Sequence, residues 1–220
     1  MKIFCIRLLK LFTGLFLFSL GIVATLRANV GYAPWDVFHS GISNKTGISI
    51  GTASIIVGLA LLIIVKLSGE KLGLGTIFNM FFIGVFIDFI LRINIIPKME
   101  NIVFGIIMLI IGLFILSLGS YFYLLSAFGA GPRDNLMVVL TRRTKIPVGI
   151  CRSIIEISVT LIGWLLGGMI GFGTVIAAVG IGFCVQITFR IMKFDVTSVR
   201  HETFLETIAA LAGKIKNRDD

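Results

Sequence analysis

Residues 129–134 read GAGPRD, and 98 positions earlier residues 31–36 read GYAPWD. The shared frame, Gly-x-x-Pro-x-Asp, is a helix start. Proline suits the first turn, where its missing N–H costs no intrahelical bond. Aspartate two residues later falls in the same turn, where a carboxylate complements the positive end of the helix dipole and can accept backbone N–H groups. The preceding glycine permits a sharp approach. From Pro34 to Lys45 there are roughly 12 residues, or about 18 Å of helix, which is about half a bilayer. The stretches 31–46 and 129–145 are too short and too polar to cross unaided, so each is a re-entrant half-helix or a helix lying at the interface.

The frame belongs to a longer duplication. Sliding the chain by 98 residues, without a gap, aligns 14–92 with 112–190, and roughly 23 of about 79 positions are identical. The informative matches are the punctuation: Gly14/Gly112, Gly21/Gly119, Gly31/Gly129, Pro34/Pro132, Asp36/Asp134, Gly51/Gly149, Gly84/Gly182, and GLGT at 73–76 against GFGT at 171–174. Self-similarity at a fixed period marks a repeated structural unit.

The rest of the chain is made for lipid. Of 220 residues 57% are hydrophobic and only 14% charged, with mean hydropathy +1.04; soluble domains carry roughly a quarter charged residues. Six apolar spans fall near 8–27, 51–67, 73–92, 101–125, 149–167 and 171–192, leaving no room for a sizeable soluble domain. The first resembles a signal peptide in its flanking Lys2, Arg7 and Lys10, but it is long for one, lacks a clean cleavage site and matches a later span in the repeat. It reads as a transmembrane helix.

The expected architecture is an all-α polytopic membrane protein: six transmembrane helices as two inverted three-helix repeats, residues 1–98 and 99–193, each with a short re-entrant or interfacial helix. Residues 194–220 form an amphipathic tail, with Phe204, Ile208, Leu211 and Ile215 at helical spacing. Three crossings per unit turn the second unit upside down. Charge placement agrees. With the N-terminus in the cytoplasm, 16 Lys and Arg fall inside, Arg133 among them, and four outside: Arg27, Lys45, Arg92 and Lys98. The net charge of +9 is thus distributed as a topology signal, not as a nucleic-acid surface.

The candidate substrate-binding residues are Pro34, Asp36, Pro132, Asp134, Arg152 and Glu156. Inverted repeats place the starts of two half-helices toward a common midplane, where such starts build solute or ion sites. The competing reading is that Asp36 and Asp134 merely cap interfacial helices. Glu156 lies one turn after Arg152, close enough for an intrahelical pair, and an ionisable residue inside a membrane invites a functional reading. Asp88 has Arg92 at the same spacing, but its repeat partner is the uncharged Gln186. Asn79, Thr76 and Thr174 suit interhelical hydrogen bonds, and a lone His39 is more simply structural than a proton relay. Cys5, Cys151 and Cys184 are isolated thiols without metal-ligand spacing. No nucleophile–base pair or phosphate-cradling loop points to an enzyme, a cofactor or a metal.

With GYAPWD, SIGT, GLGTIFNMFFIGVFID, GAGPRDNLM, PVGICRSIIE and GWLLGGMIGFGT in hand, the chain resembles the YczE/YyaS-type group of bacterial integral membrane proteins, and more distantly the YitT-type. The resemblance spans about residues 7–192 and leaves out the tail. It implies a multi-pass protein of the bacterial cytoplasmic membrane and carries no biochemical activity; the charge count places both termini in the cytoplasm. The expectation is a small secondary-transporter-like protein moving a solute or ion through the lipid bilayer. The alternative is a scaffold or assembly factor that docks a cytoplasmic protein partner on Arg142, Arg143, Lys145 and Lys214.

Overall fold

The computed structural model describes residues 2–70, 72–195, 199 and 202–211, and every regular element among them is helical. In order these are α1 (Lys2–Arg27), α2 (Pro34–Thr46), α3 (Ile50–Leu67), α4 (Leu74–Ile93), α5 (Ile102–Leu125), α6 (Pro132–Thr144), α7 (Val148–Leu165), α8 (Phe172–Ile191) and α9 (Phe204–Leu211). The bounds of α2, α3 and α4 recur 98 residues later in α6, α7 and α8. Repeated start and stop signals explain this. Pro34 and Pro132 open the short helices, and residues in the left-handed region, Gly47 and Lys145, close them. At α4 and α8, Gly73 and Gly171 donate their N–H to the hydroxyls of Thr76 and Thr174 in the first turn.

Five helices, α1, α3, α4, α5 and α8, are long and apolar enough to cross a membrane among the described residues. Helix α7 matches α3 in length but holds Arg152 and Glu156. Large apolar side chains such as Phe89, Phe104, Trp164 and Phe183 are exposed along these helices, a surface that water does not favour and hydrocarbon does.

The centre of the fold is the antiparallel crossing of α1 and α5. A Cβ on Gly14 would meet the backbone of Gly119 and Tyr123, and one on Gly21 the backbone of Gly112 and Leu116. Since Gly119 is the repeat counterpart of Gly21, and Gly112 that of Gly14, the contact is reciprocal about its own midpoint. Bare backbone on both sides lets the helices approach closely.

Each short helix then packs on the opposite unit: α2 on α7, and α6 on α3. The approach loops are exchanged too. Gly173 N–H, at the start of α8, donates to Val30 O at 2.7 Å, and Gly75 N–H, at the start of α4, donates to Phe128 O at 2.8 Å. Val30 and Phe128 are repeat counterparts, as are Gly173 and Gly75. Gly31 and Gly129 stand at φ 113° and 123°, a region that other residues rarely occupy, and a side chain on either would strike the facing helix start. The sharp approach expected of these glycines has this physical reason.

The far ends of the short helices lie apart. Asn44, late in α2, donates to Gly167 O beyond α7 at 2.8 Å, whereas Arg142, late in α6, pairs with Glu70 beyond α3 at 2.6 Å. Bonds at the first of these ends also join Arg27 to Asn94 and Met99 N–H to Arg27 O. At the second, Arg7 pairs with Glu202 at 2.6 Å and donates to Ser126 O.

The two units differ in one respect. In the first, Asp88 near the end of α4 accepts from Gly51 N–H at 2.9 Å and from the Ser49 hydroxyl, so it caps α3 and does not pair with Arg92 as their spacing suggests. Gly51 and Gly84 there are in backbone contact. In the second unit the counterparts Gly149 and Gly182 both face open space, and Gln186 replaces Asp88.

The tail helix is tied to the turn before α4 and to the approach to α6. Phe204 and Leu205 are exposed while Thr207 is buried, and the segment is fastened by Phe204 N–H to Leu72 O and Glu202 N–H to Ala127 O. Of the expected apolar face, the side chains of Ile208 and Leu211 and the whole of Ile215 lie outside the described residues, as does the base Lys214.

Candidate functional site

The starts of α2 and α6 converge on a cavity of about 280 Å³ between the two units. All six residues singled out from sequence, Pro34, Asp36, Pro132, Asp134, Arg152 and Glu156, line it. So do Ser54 and Gly58, the repeat counterparts of Arg152 and Glu156, so equivalent walls of both units face the same space. The rest of the lining is mainly apolar, including Phe18, Met80, Leu113, Met137 and Phe189. A small space with apolar walls and a few convergent polar groups is the usual form of a small-molecule site.

Neither aspartate caps its helix. The N-cap residues are Ala33 and Gly131, and both helices begin without a side-chain cap hydrogen bond. The competing reading of Asp36 and Asp134 as caps finds no such bond, and both carboxylates line the cavity. Asp134 accepts the Tyr123 hydroxyl at 3.0 Å, and that hydroxyl in turn accepts Gly131 N–H at 3.3 Å. Tyr123, buried in α5, thereby holds the start of α6 and its carboxylate in one geometry. Asp36 is 3% exposed, and its Oδ1 lies 3.6 Å from Nδ1 of the fully buried His39, one turn along α2.

Arg133 links the two halves. Its guanidinium carbon lies 4.7 Å from the centroid of the Trp35 ring, within cation–π range. Its Nη2 approaches His39 Nε2 at 3.5 Å, and both Asp36 and Asp134 attract its charge. Arg133 and Trp35 are repeat counterparts, so the helices touch through equivalent positions that carry complementary chemistry. Arg133, counted from sequence among the bases of the cytoplasmic side, is half-buried and lines the cavity. Sequence did hold a signal, since this arginine sits inside the repeated frame. Tyr123 had none, because its counterpart is Thr25 and its partner lies in another helix.

The pair expected on α7 forms, with Arg152 Nε donating to Glu156 Oε1 at 2.9 Å. Asn79 lines the cavity, and Thr76 makes an interhelical bond, donating to Ala130 O at 2.7 Å.

Residues 5–190 match a family described as a family of unknown function (DUF6198). A Haemophilus influenzae protein described as uncharacterized is 36% identical over 165 residues, 75% of each chain. The Bacillus subtilis uncharacterized membrane protein YczE is 32% identical over 179 residues, 80% of this chain and 82% of its own. The uncharacterized protein YyaS from Bacillus subtilis is 27% identical over 167 residues, 74% and 82% of the two chains. No solved structure matches the chain significantly.

Proposed function

The chain belongs to the DUF6198 family of membrane proteins, and we propose that it is a small secondary transporter, not an enzyme, of the bacterial cytoplasmic membrane. On this reading α7 is the sixth span, the repeats are inverted across the bilayer, and α2 and α6 are re-entrant from opposite faces with both termini cytoplasmic. The observation that carries it is the meeting of the two short-helix starts, with their carboxylates, at one cavity between the units. Supporting it, the equivalent helices α1 and α5 run antiparallel, and the base-rich turns holding Arg7 and Arg142 gather at one end. Half-helix starts at the midplane of inverted repeats are a recurring way to build a solute or ion site.

The difference between units fits alternating access. Helices α3 and α4 are latched through Asp88 and the Gly51–Gly84 contact, while their counterparts α7 and α8 stand apart. Phe189 and Val185 of α8 line the cavity on the unlatched side. Exchange of the two packings between units would expose it to the other side.

Purified protein in liposomes, offered a panel of labelled amino acids, organic acids, sugars and polyamines, tests the reading. Flux of at least one class is expected, falling to background in Asp134→Asn and Glu156→Gln. A folded, oriented protein that moves none of them and is stabilised by none contradicts it. The exposed bases at the α6–α7 turn, Arg142, Arg143 and Lys145, favour docking of a cytoplasmic partner as the second reading. Under that reading the two carboxylate variants keep full activity in cells, and reversal of Arg143 and Lys145 abolishes it.

A further inference from the structure

Two buried polar atoms in α2 lack hydrogen-bond partners: Asp36 Oδ1 and His39 Nδ1, 3.6 Å apart. Buried groups left this way are costly and ask for an explanation. The other side of the imidazole supplies one. Arg133 Nη2 lies 3.5 Å from His39 Nε2, and a guanidinium offers only donors. Nε2 must then be the bare nitrogen, which leaves the single ring proton on Nδ1, directed at Asp36. The remaining surroundings are neutral. Trp35 and Phe38 flank the ring, with centroids 6.4 and 6.5 Å away. Helix α7 meets α2 through Gly163, the turn after it through Gly168, and α7 keeps Arg152 and Glu156 paired with each other. The basic residues of α3 and α8, Lys66 and Arg190, stand in their last turns.

We propose that the Asp36–His39 pair is a proton-binding site, and that a proton on it excludes Arg133 from its seat over Trp35. A hydronium ion arriving through the cavity that Arg133 lines gives its proton to His39 Nε2: the hydronium O–H bond breaks, the Nε2–H bond forms, and water is left. The ring then presents an N–H and a positive charge to the guanidinium, donor against donor. Arg133 withdraws toward Asp134 on its own helix, while the charged imidazole closes on Asp36. Since Arg133 belongs to the second unit and His39 to the first, loading the proton loosens the contact between the halves. The proposal rests on the transport reading only in making this proton the driving ion.

The chain has two tryptophans and two histidines, which makes the test direct. In full-length Trp164→Phe protein, Trp35 is the remaining indole, and its emission is followed from about pH 8 to about pH 4, the range in which histidine changes charge. A one-proton transition is expected, lost in His39→Gln and in Arg133→Gln. Nitrogen-15 histidine spectra of the unsubstituted protein are expected to show a neutral, Nδ1-protonated His39 at the alkaline end that charges across the same transition. A His39 that stays uncharged down to pH 4 in folded protein overturns the proposal, as does a charging His39 with unchanged Trp35 emission. No solute flux is read, so failure here and failure of the transport reading are told apart.

Discussion

Tyr123 joins a backbone N–H of the α6 approach to the carboxylate of Asp134, and both partners depend on its one oxygen. Tyr123→Phe keeps the ring and removes that oxygen, leaving a buried Gly131 N–H unpaired. A loss of about 1–3 kcal/mol of stability is expected in denaturant titrations of detergent-solubilised protein; an unchanged midpoint would mean that the hydroxyl does not hold α6. Gly129 is less tolerant. At φ 123°, and with Gly73 and Thr76 inside the reach of a new Cβ, Gly129→Ala meets both backbone strain and collision. Folded yield in membranes is expected to fall severalfold, whereas Gly69→Ala, also at positive φ but in open space, meets strain alone and falls less. At this scale the sequence was legible where repetition marked it: the frame around Asp36 and Asp134 led to the cavity. The seat of Arg133 over Trp35 was not legible because, along one dimension, a base next to a turn looks like any topology charge. His39 was read as structural because its partner arginine lies in the other unit.

Apart from α1, which begins at Lys2 and not near residue 8, the bounds of the helices were legible to within about two residues, since Pro starts and Gly-Thr starts occur at the same register in both units. Their partners were not. Nothing local says that α2 packs on α7, or that Asp88 caps α3 instead of pairing with Arg92. Those outcomes follow from the swapped crossing of the units. The unequal latching leads to a prediction at this scale. Gly84→Leu drives a side chain into Gly51 and Ile55, whereas Gly182→Leu enters open space. The first is expected to destabilise the protein by about 1–3 kcal/mol through overpacking, and the second to leave its melting temperature unchanged. If α7 and α8 must close during turnover, Gly182→Leu still abolishes solute exchange. A Gly182→Leu protein that exchanges solute at the normal rate would show that α7 and α8 never adopt the α3–α4 packing.

At the scale of the whole molecule, the claim that supports the rest is orientation: two copies of one unit, oppositely directed across the lipid, each sending a short helix to a shared interior. The sequence carried this as a 98-residue period and a skew in basic residues. The antiparallel α1–α5 crossing and the separated ends of α2 and α6 are what the proposed orientation would produce. The most direct measurement is labelling by a membrane-impermeant maleimide in a background without Cys5, Cys151 and Cys184. Single cysteines replace Asn44 and Arg143, both exposed near the ends of α2 and α6. In intact cells and in inverted vesicles the account predicts opposite patterns, with position 44 reached from outside and position 143 from the cytoplasm. Labelling of both from the same face would contradict it.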